Sequence, residues 1–116
     1  MSDITRIDQN ARRSRASVFG DIVFLAGQVA DDKAGDITRQ TQEALAKVDD
    51  MLGRSGTDRS RLLSVQIWLK SMADFDAMNA VYDAWVVPGQ QPCRACGKVE
   101  LADPGYLIEV IAVAAR

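Results

Sequence analysis

Past a polar opening stretch, the chain switches between two hydrophobic periods, and the switches lay out its elements. Ala16-Ser17-Val18-Phe19 and Ile22-Val23-Phe24-Leu25-Ala26 are β-prone runs on either side of Gly20-Asp21, which predicts a hairpin with a two-residue turn. Gly27-Gln28 ends the second run, and a glycine there marks a place where backbone or ligand comes close. After the loop 31–35, Asp36 is an N-cap candidate. Ile37, Thr41, Ala44, Leu45, Val48, Met51 and Leu52 then recur at three- and four-residue spacing, the stripe of an amphipathic helix ended by Gly53 or Gly56. Leu63, Val65, Ile67 and Leu69 alternate with their neighbours and predict a strand. Ser71 with Asp74 gives a capping-box-like start to a second helix, whose stripe is Met72, Phe75, Met78, Tyr82, Trp85 and Val86 and which Pro88-Gly89 stops. Residues 93–101 and 107–113 predict two closing strands around the turn 102–105. The aperiodic residues 1–13 are read as an entry segment with a short edge strand.

The predicted order is ββαβαββ, and two helices with about five or six strands make an α+β two-layer sandwich with both helices on one face of a mixed sheet. Residues 107–113 and 22–26 are apolar on both sides of their strands, so both sheet faces need cover. Two helices cover one face. The other requires shelter from outside the chain, and a homo-oligomer packed through its sheets supplies it.

Composition narrows the chemistry. The chain has 116 residues, which suits a single domain over 1–116, with 14 Lys+Arg against 16 Asp+Glu and no histidine. A slightly acidic balance gives no footprint for a polyanion, so no nucleic-acid partner is expected. Without histidine there are no Ser-His or Cys-His pairs and no imidazole metal ligands. The N-terminus lacks a basic head and apolar run, and no stretch approaches the ~18 apolar residues of a membrane span. The expectation is a soluble cytoplasmic protein with no membrane partner. Cys93 and Cys96 form C-x-x-C in outline, but no further cysteine or histidine is present to complete a zinc site. No metal and no cofactor are expected, and the two cysteines are read as small, semi-buried residues in a reducing compartment.

Two charged residues stand in apolar company. Glu109 shares a strand face with Leu107, Ile111 and Val113, where an ionised carboxylate is costly unless it is paired or its pKa rises. Arg94 lies between Pro92 and Cys96 at a strand entrance, and its guanidinium is a fixed fork for a carboxylate. One reading has the two pairing with each other, or one of them solvated at a sheet edge. The other has Arg94 anchoring a small carboxylate ligand while Glu109 orients water or exchanges a proton. Asn79, beside the second helix's stripe, is read as capping a strand or projecting into a cleft. Trp68, Tyr82 and Trp85 are read as core or interface aromatics, and Arg12-Arg13-Ser14-Arg15 as a solvated basic face.

Taken in order, Gly27-Gln28, Asp36-x-x-x-Gln40-Thr41, Asp74-Phe75-x-x-Met78-Asn79, Pro92-x-Arg94-x-Cys96 and Ile108-Glu109 resemble the reactive-intermediate deaminase (YjgF/YER057c/UK114) family from about residue 14 to 116. The resemblance implies a chorismate-mutase-like fold and a homotrimer with three ligand clefts at subunit interfaces. It implies a metal-independent hydrolase, converting 2-imino or 2-enamino acids to 2-oxo acids and ammonia. Arg94 would bind the substrate carboxylate and Glu109 would position the hydrolytic water, with Gly27, Asn79 and Cys96 shaping the cleft. Family members commonly carry Pro-Tyr-Ser before the first strand, with the tyrosine in the cleft. Here Arg12-Arg13-Ser14 stands in that place, which puts Arg13 among the implied substrate-binding residues. Arg39 and Gly97-Lys98 also differ from the usual pattern. Two other readings go with the resemblance: a non-catalytic trimer that binds keto acids, and the endoribonuclease or translation inhibitor of older descriptions, against which the acidic pI near 5.0 argues.

Overall fold

The computed structural model describes residues 3–116. Six strands and two helices follow one another as β1 (Ile4–Gln9), β2 (Ser14–Phe19), β3 (Ile22–Leu25), α1 (Ile37–Arg54), β4 (Leu62–Leu69), α2 (Phe75–Trp85), β5 (Cys93–Lys98) and β6 (Ile108–Ala115). The entry segment is therefore a full edge strand, and the order is βββαβαββ. The sheet runs β1-β2-β3-β6-β4-β5. Every pairing is antiparallel except β4 with β5, the two strands that α2 connects.

Strand and helix limits follow from local chemistry. Gly20, at φ 59, makes the β2–β3 turn. Asp36 caps α1 by accepting from Arg39 N at 2.9 Å, and the predicted stripe is buried apart from Ile37 at its start. Gly53 lies inside the helix, which ends at Arg54; Gly56 follows in the left-handed region at φ 84. Ser71 caps a single 3-10 turn by accepting from Ala73 N, while Asp74 makes no side-chain cap, so the box read from the sequence does not form. Met72 heads that turn and is exposed, outside the core the stripe predicted. β5 is shorter than predicted because the chain leaves the sheet at Val99 and turns at 103–105, where Asp103 Oδ1 accepts from Gly105 N and Asp103 Oδ2 pairs with Lys33 Nζ at 2.8 Å. Gln40 was not foreseen in the core. It is fully buried, donates to the carbonyls of Gly35 and Gly105 at 3.0 Å each, and accepts from Leu107 N at 2.9 Å, tying the start of α1 to the start of β6.

One face of the sheet carries the core. Ala16, Val18, Val23, Leu25, Val65, Ile67, Leu69, Ile108, Val110, Ala112 and Ala114 point to the helices and are buried with Leu45, Val48, Met51, Leu52, Met78 and Tyr82. A buried Leu, Ile or Met of this kind contributes about 1.5–3 kcal/mol. The alternate positions point the other way. On that open face, the register aligns Phe19 with Ile22, Phe24 with Val113, and Trp68 with Glu109. Phe19 and Phe24 are 53% and 51% exposed, so the second face is apolar and uncovered by this chain, as the two-sided strands predicted.

Candidate functional site

Arg94 lies on the edge strand β5, opposite Val65, and so on the helix side of the sheet. It is exposed, which agrees with the sheet-edge reading, but it is not loose. Its Nη1 donates to Asn79 Oδ1 at 2.7 Å, and the guanidinium carbon stands 4.8 Å from the centre of the Tyr82 ring and 6.0 Å from that of Phe75. Asn79 and Tyr82 are one helical turn apart on α2, which brings both to the same cation. Among the described residues Arg94 makes no ion pair, so an oriented guanidinium faces solvent in a hollow of about 520 Å³ lined by Asn79, Tyr82, Pro92 and Gln91. Asn79 thus holds a side chain rather than a strand backbone.

Glu109 sits on β6 opposite Trp68, among Ile111 and Val113 of the open face. Burial pushes its carboxyl above the ordinary value of 4.5, and among the described residues no cation opposes that shift. Gly27 is against it. A Cβ added at Gly27 would land on Glu109 Oε2 and lie 2.8 Å from Cδ, so the missing side chain is what leaves room for the carboxyl. The two backbones are held together next door, where Gln28 and Val110 exchange N–H···O bonds of 2.8 and 3.0 Å.

Arg94 and Glu109 therefore do not pair. Their partners on β4, Val65 and Trp68, are three residues apart, and an odd spacing on a strand means opposite faces. The predicted site residues fall into two groups: Arg94 and Asn79 on one side, Glu109 and Gly27 on the other. Arg13 belongs with the second group. It borders a hollow of about 540 Å³ together with Gly27, Gln28 and Arg15. Cys96 neighbours the first group, half-buried on the helix side; burial pushes its thiol up while nearby Arg94 opposes, which is not the setting of a reactive thiolate. Cys93, three residues earlier, is on the other face and exposed rather than semi-buried, so the two sulfurs do not converge. Among the described residues no group of three His, Cys, Asp or Glu side chains could hold a metal ion, and no helix is long and apolar enough to cross a membrane.

Sequence reasoning missed Tyr82 and Phe75 as the cradle of Arg94; the turn spacing from Asn79 to Tyr82 was the available signal. It also missed Gln28, buried, whose Oε1 accepts from Arg15 Nη2 at 2.9 Å.

A six-stranded mixed sheet with helices on one face, an open apolar second face and two separated half-sites defines a class of small α+β proteins. The family model described as endoribonuclease L-PSP matches residues 4–116. A RutC family protein of Haemophilus ducreyi is 40% identical, covering 97% of this chain and 96% of its own, and the RutC family protein YoaB of Escherichia coli is 37% identical over 97% of each. An uncharacterized protein from Pseudomonas aeruginosa superimposes with a TM-score of 0.95 at 42% identity, covering 98% of this chain and 99% of that one. A YjgF-family protein of Neisseria meningitidis gives 0.95 at 35% identity, with 98% and 95% covered. The chain belongs to the YjgF/YER057c/UK114 family, to which the RutC proteins and the L-PSP model also belong.

Proposed function

We propose that this chain hydrolyses 2-imino and 2-enamino acids to 2-oxo acids and ammonia, in clefts formed where copies of a homotrimer meet. The observation that carries the reading is the pair of half-sites: a rigidly held, unpaired guanidinium at Arg94 and a carboxyl with raised pKa at Glu109, on opposite faces of one sheet. A second copy whose open face meets the β5 edge of the first would bring its Glu109 and Gly27 to the Arg94 and Asn79 there.

In such a cleft Arg94 holds the substrate carboxylate with two parallel N–H···O bonds. Glu109, in its protonated form, gives its proton to the imine nitrogen. As the carboxylate it then takes one from the water adding to the C=N carbon. The resulting carbinolamine loses ammonia as the C–N bond breaks and the C=O forms, so imine and water leave as ketone and ammonia. A carboxyl pushed toward neutrality suits both proton transfers. An activated C=N already accepts water, so orientation supplies much of the acceleration.

The test is complementation. Arg94→Ala and Glu109→Gln are prepared separately, and keto-acid release is followed with 2-aminoacrylate generated in situ. Each variant should be inactive alone while sedimenting as the wild-type trimer. Subunits mixed by denaturation and refolding should recover about a quarter of the wild-type rate, because random mixing leaves one intact boundary in each mixed trimer. No recovery on mixing, or a wild-type rate in either variant alone, would refute the divided site. Release no faster with the wild-type protein than in buffer would refute the deaminase reading, and calorimetric binding of keto acids without turnover would favour a carboxylate-binding role. Tight, salt-sensitive binding of single-stranded RNA would instead revive the activity after which the family model is named.

A further inference from the structure

The half-site around Gly27 is densely charged: three carboxylates, Asp8, Asp31 and Asp50, line its hollow beside an equal number of cations. Three cations border its hollow: Arg13, Arg15 and Lys47. Two are already matched. Arg15 pairs with Asp8 at 3.3 Å and donates to Gln28 at 2.9 Å, and Lys47 pairs with Asp31 at 2.7 Å. Arg13 makes no ion pair among the described residues; its Nη1 has only the Asp8 backbone carbonyl, at 3.4 Å. Its backbone, in contrast, is pinned. Asn10 Oδ1 accepts from both Arg12 N and Arg13 N at 2.8 Å, and Asn10 N donates to Arg13 O at 2.9 Å. A fixed stem with an unmatched guanidinium, next to the glycine that abuts Glu109, is a second carboxylate receptor. Arg6 and Arg12 also lack ion pairs among the described residues, but they border only a neighbouring hollow, whereas Arg13 stands between the two and borders both.

We propose that the preferred substrate is a 2-imino dicarboxylic acid, with its α-carboxylate on Arg94 of one subunit and its distal carboxylate on Arg13 beside the Glu109 of the next. This rests on the deaminase reading above and adds the substrate class. The imines of aspartate and glutamate have the required chemistry: two carboxylates separated by one or two methylenes, with the C=N carbon beside the first. The reaction is the same hydrolysis, giving a 2-oxo dicarboxylate and ammonia. A reaction that oxidises an acidic amino acid to its imine, passing two electrons and two protons to a flavin- or nicotinamide-type acceptor, or that eliminates water from its β-hydroxy derivative, would have to supply it.

The experiment compares imines made in situ by flavin amino-acid oxidases from aspartate and from alanine, with rates taken net of buffer hydrolysis. Wild-type kcat/KM should favour the dicarboxylic imine by roughly 10- to 100-fold, the factor carried by one added pair of charged hydrogen bonds. That preference should collapse toward unity in Arg13→Ala, persist in part in Arg13→Lys, and narrow as ionic strength rises. Succinate should inhibit turnover of the alanine imine at tenfold lower concentration than propionate, and this contrast should vanish in Arg13→Ala. If the alanine imine is accelerated but the aspartate imine equally or less, or if the preference survives Arg13→Ala, the dicarboxylate assignment is wrong and the deaminase reading stands. If neither imine is accelerated, the deaminase reading itself has failed.

Discussion

Gly27→Ala separates the site from the fold more cleanly than any substitution of a charged residue. Gly27 is not among the glycines with positive φ, so alanine fits its backbone conformation and gains about 0.4–1 kcal/mol by restricting the unfolded chain. The new methyl would fall on Glu109 Oε2, 2.8 Å from Cδ and 3.0 Å from Cγ, closer than real Cβ contacts come, so the glutamate side chain must move. Only the far end of a flexible side chain is hit, and displacing it from its rotamer costs about 0.5–1.5 kcal/mol. The two effects nearly cancel, so stability should stay within about 1 kcal/mol of wild type. Activity should not: moving a catalytic carboxyl by about 1 Å costs roughly 100-fold in rate. Denaturant melts would measure the first quantity and imine-coupled keto-acid release the second, with sedimentation checking assembly. A Gly27→Ala protein with wild-type kcat/KM would refute the claim that the close approach of Gly27 positions Glu109, and a loss of several kcal/mol would show that the gap is structural instead.

Tyr82→Leu should raise KM by roughly 2- to 5-fold with kcat little changed, the worth of an exposed cation–π contact to Arg94, and Tyr82→Phe should restore it because the ring remains. An unchanged KM in Tyr82→Leu would mean that Asn79 alone orients the guanidinium. Burial raises the Glu109 carboxyl pKa in the folded chain, so between its ordinary value of 4.5 and the raised one the folded state keeps a proton that the unfolded state has released. Stability should therefore fall as pH rises through that window and be flat above it; Glu109→Gln should lack this slope and be more stable than wild type at neutral pH, and parallel profiles in denaturant melts would contradict the assignment. Gln40→Ala should cost about 2–3 kcal/mol, because Leu107 N and the Gly105 carbonyl lose their buried partner, and a smaller loss in the same melts would mean that water replaces the amide.

Much of the fold was legible because periodicity reports burial. The α1 stripe and the β4 alternation from Val65 onward reappear as the buried faces, although Leu63, expected on that face, is 44% exposed and Leu62 is buried in its place where the β4–β6 register shifts, and the two-sided hydrophobicity of β3 and β6 correctly announced a second apolar face. What failed was local. The end of β5 depends on a turn held by Lys33, seventy positions from Asp103, and the burial of Gln40 depends on where two separate backbone segments, around Gly35 and at 105–107, come together. The identities of Arg94 and Glu109 as charged residues in apolar strands were visible. Their placement on opposite faces was not, because it depends on the register of β4 with both neighbours, a long-range property that no local pattern carries.

On the proposed function, that placement ties catalysis to assembly. Side chains on one strand alternate faces whatever their rotamers, so no local rearrangement of a single chain brings the Arg94 guanidinium to the Glu109 carboxyl through the sheet. Each half-site is simple on its own: an exposed cation steadied by an amide and an aromatic ring, and a carboxyl tucked against a glycine. Neither needs histidine or a metal to be useful toward an activated C=N. On the proposed arrangement, the same contact that hides Phe19, Phe24, Ile111 and Val113 from water also completes the site. The hydrophobic drive for association then doubles as the device that switches activity on, and a dissociated subunit is inactive without any further regulation.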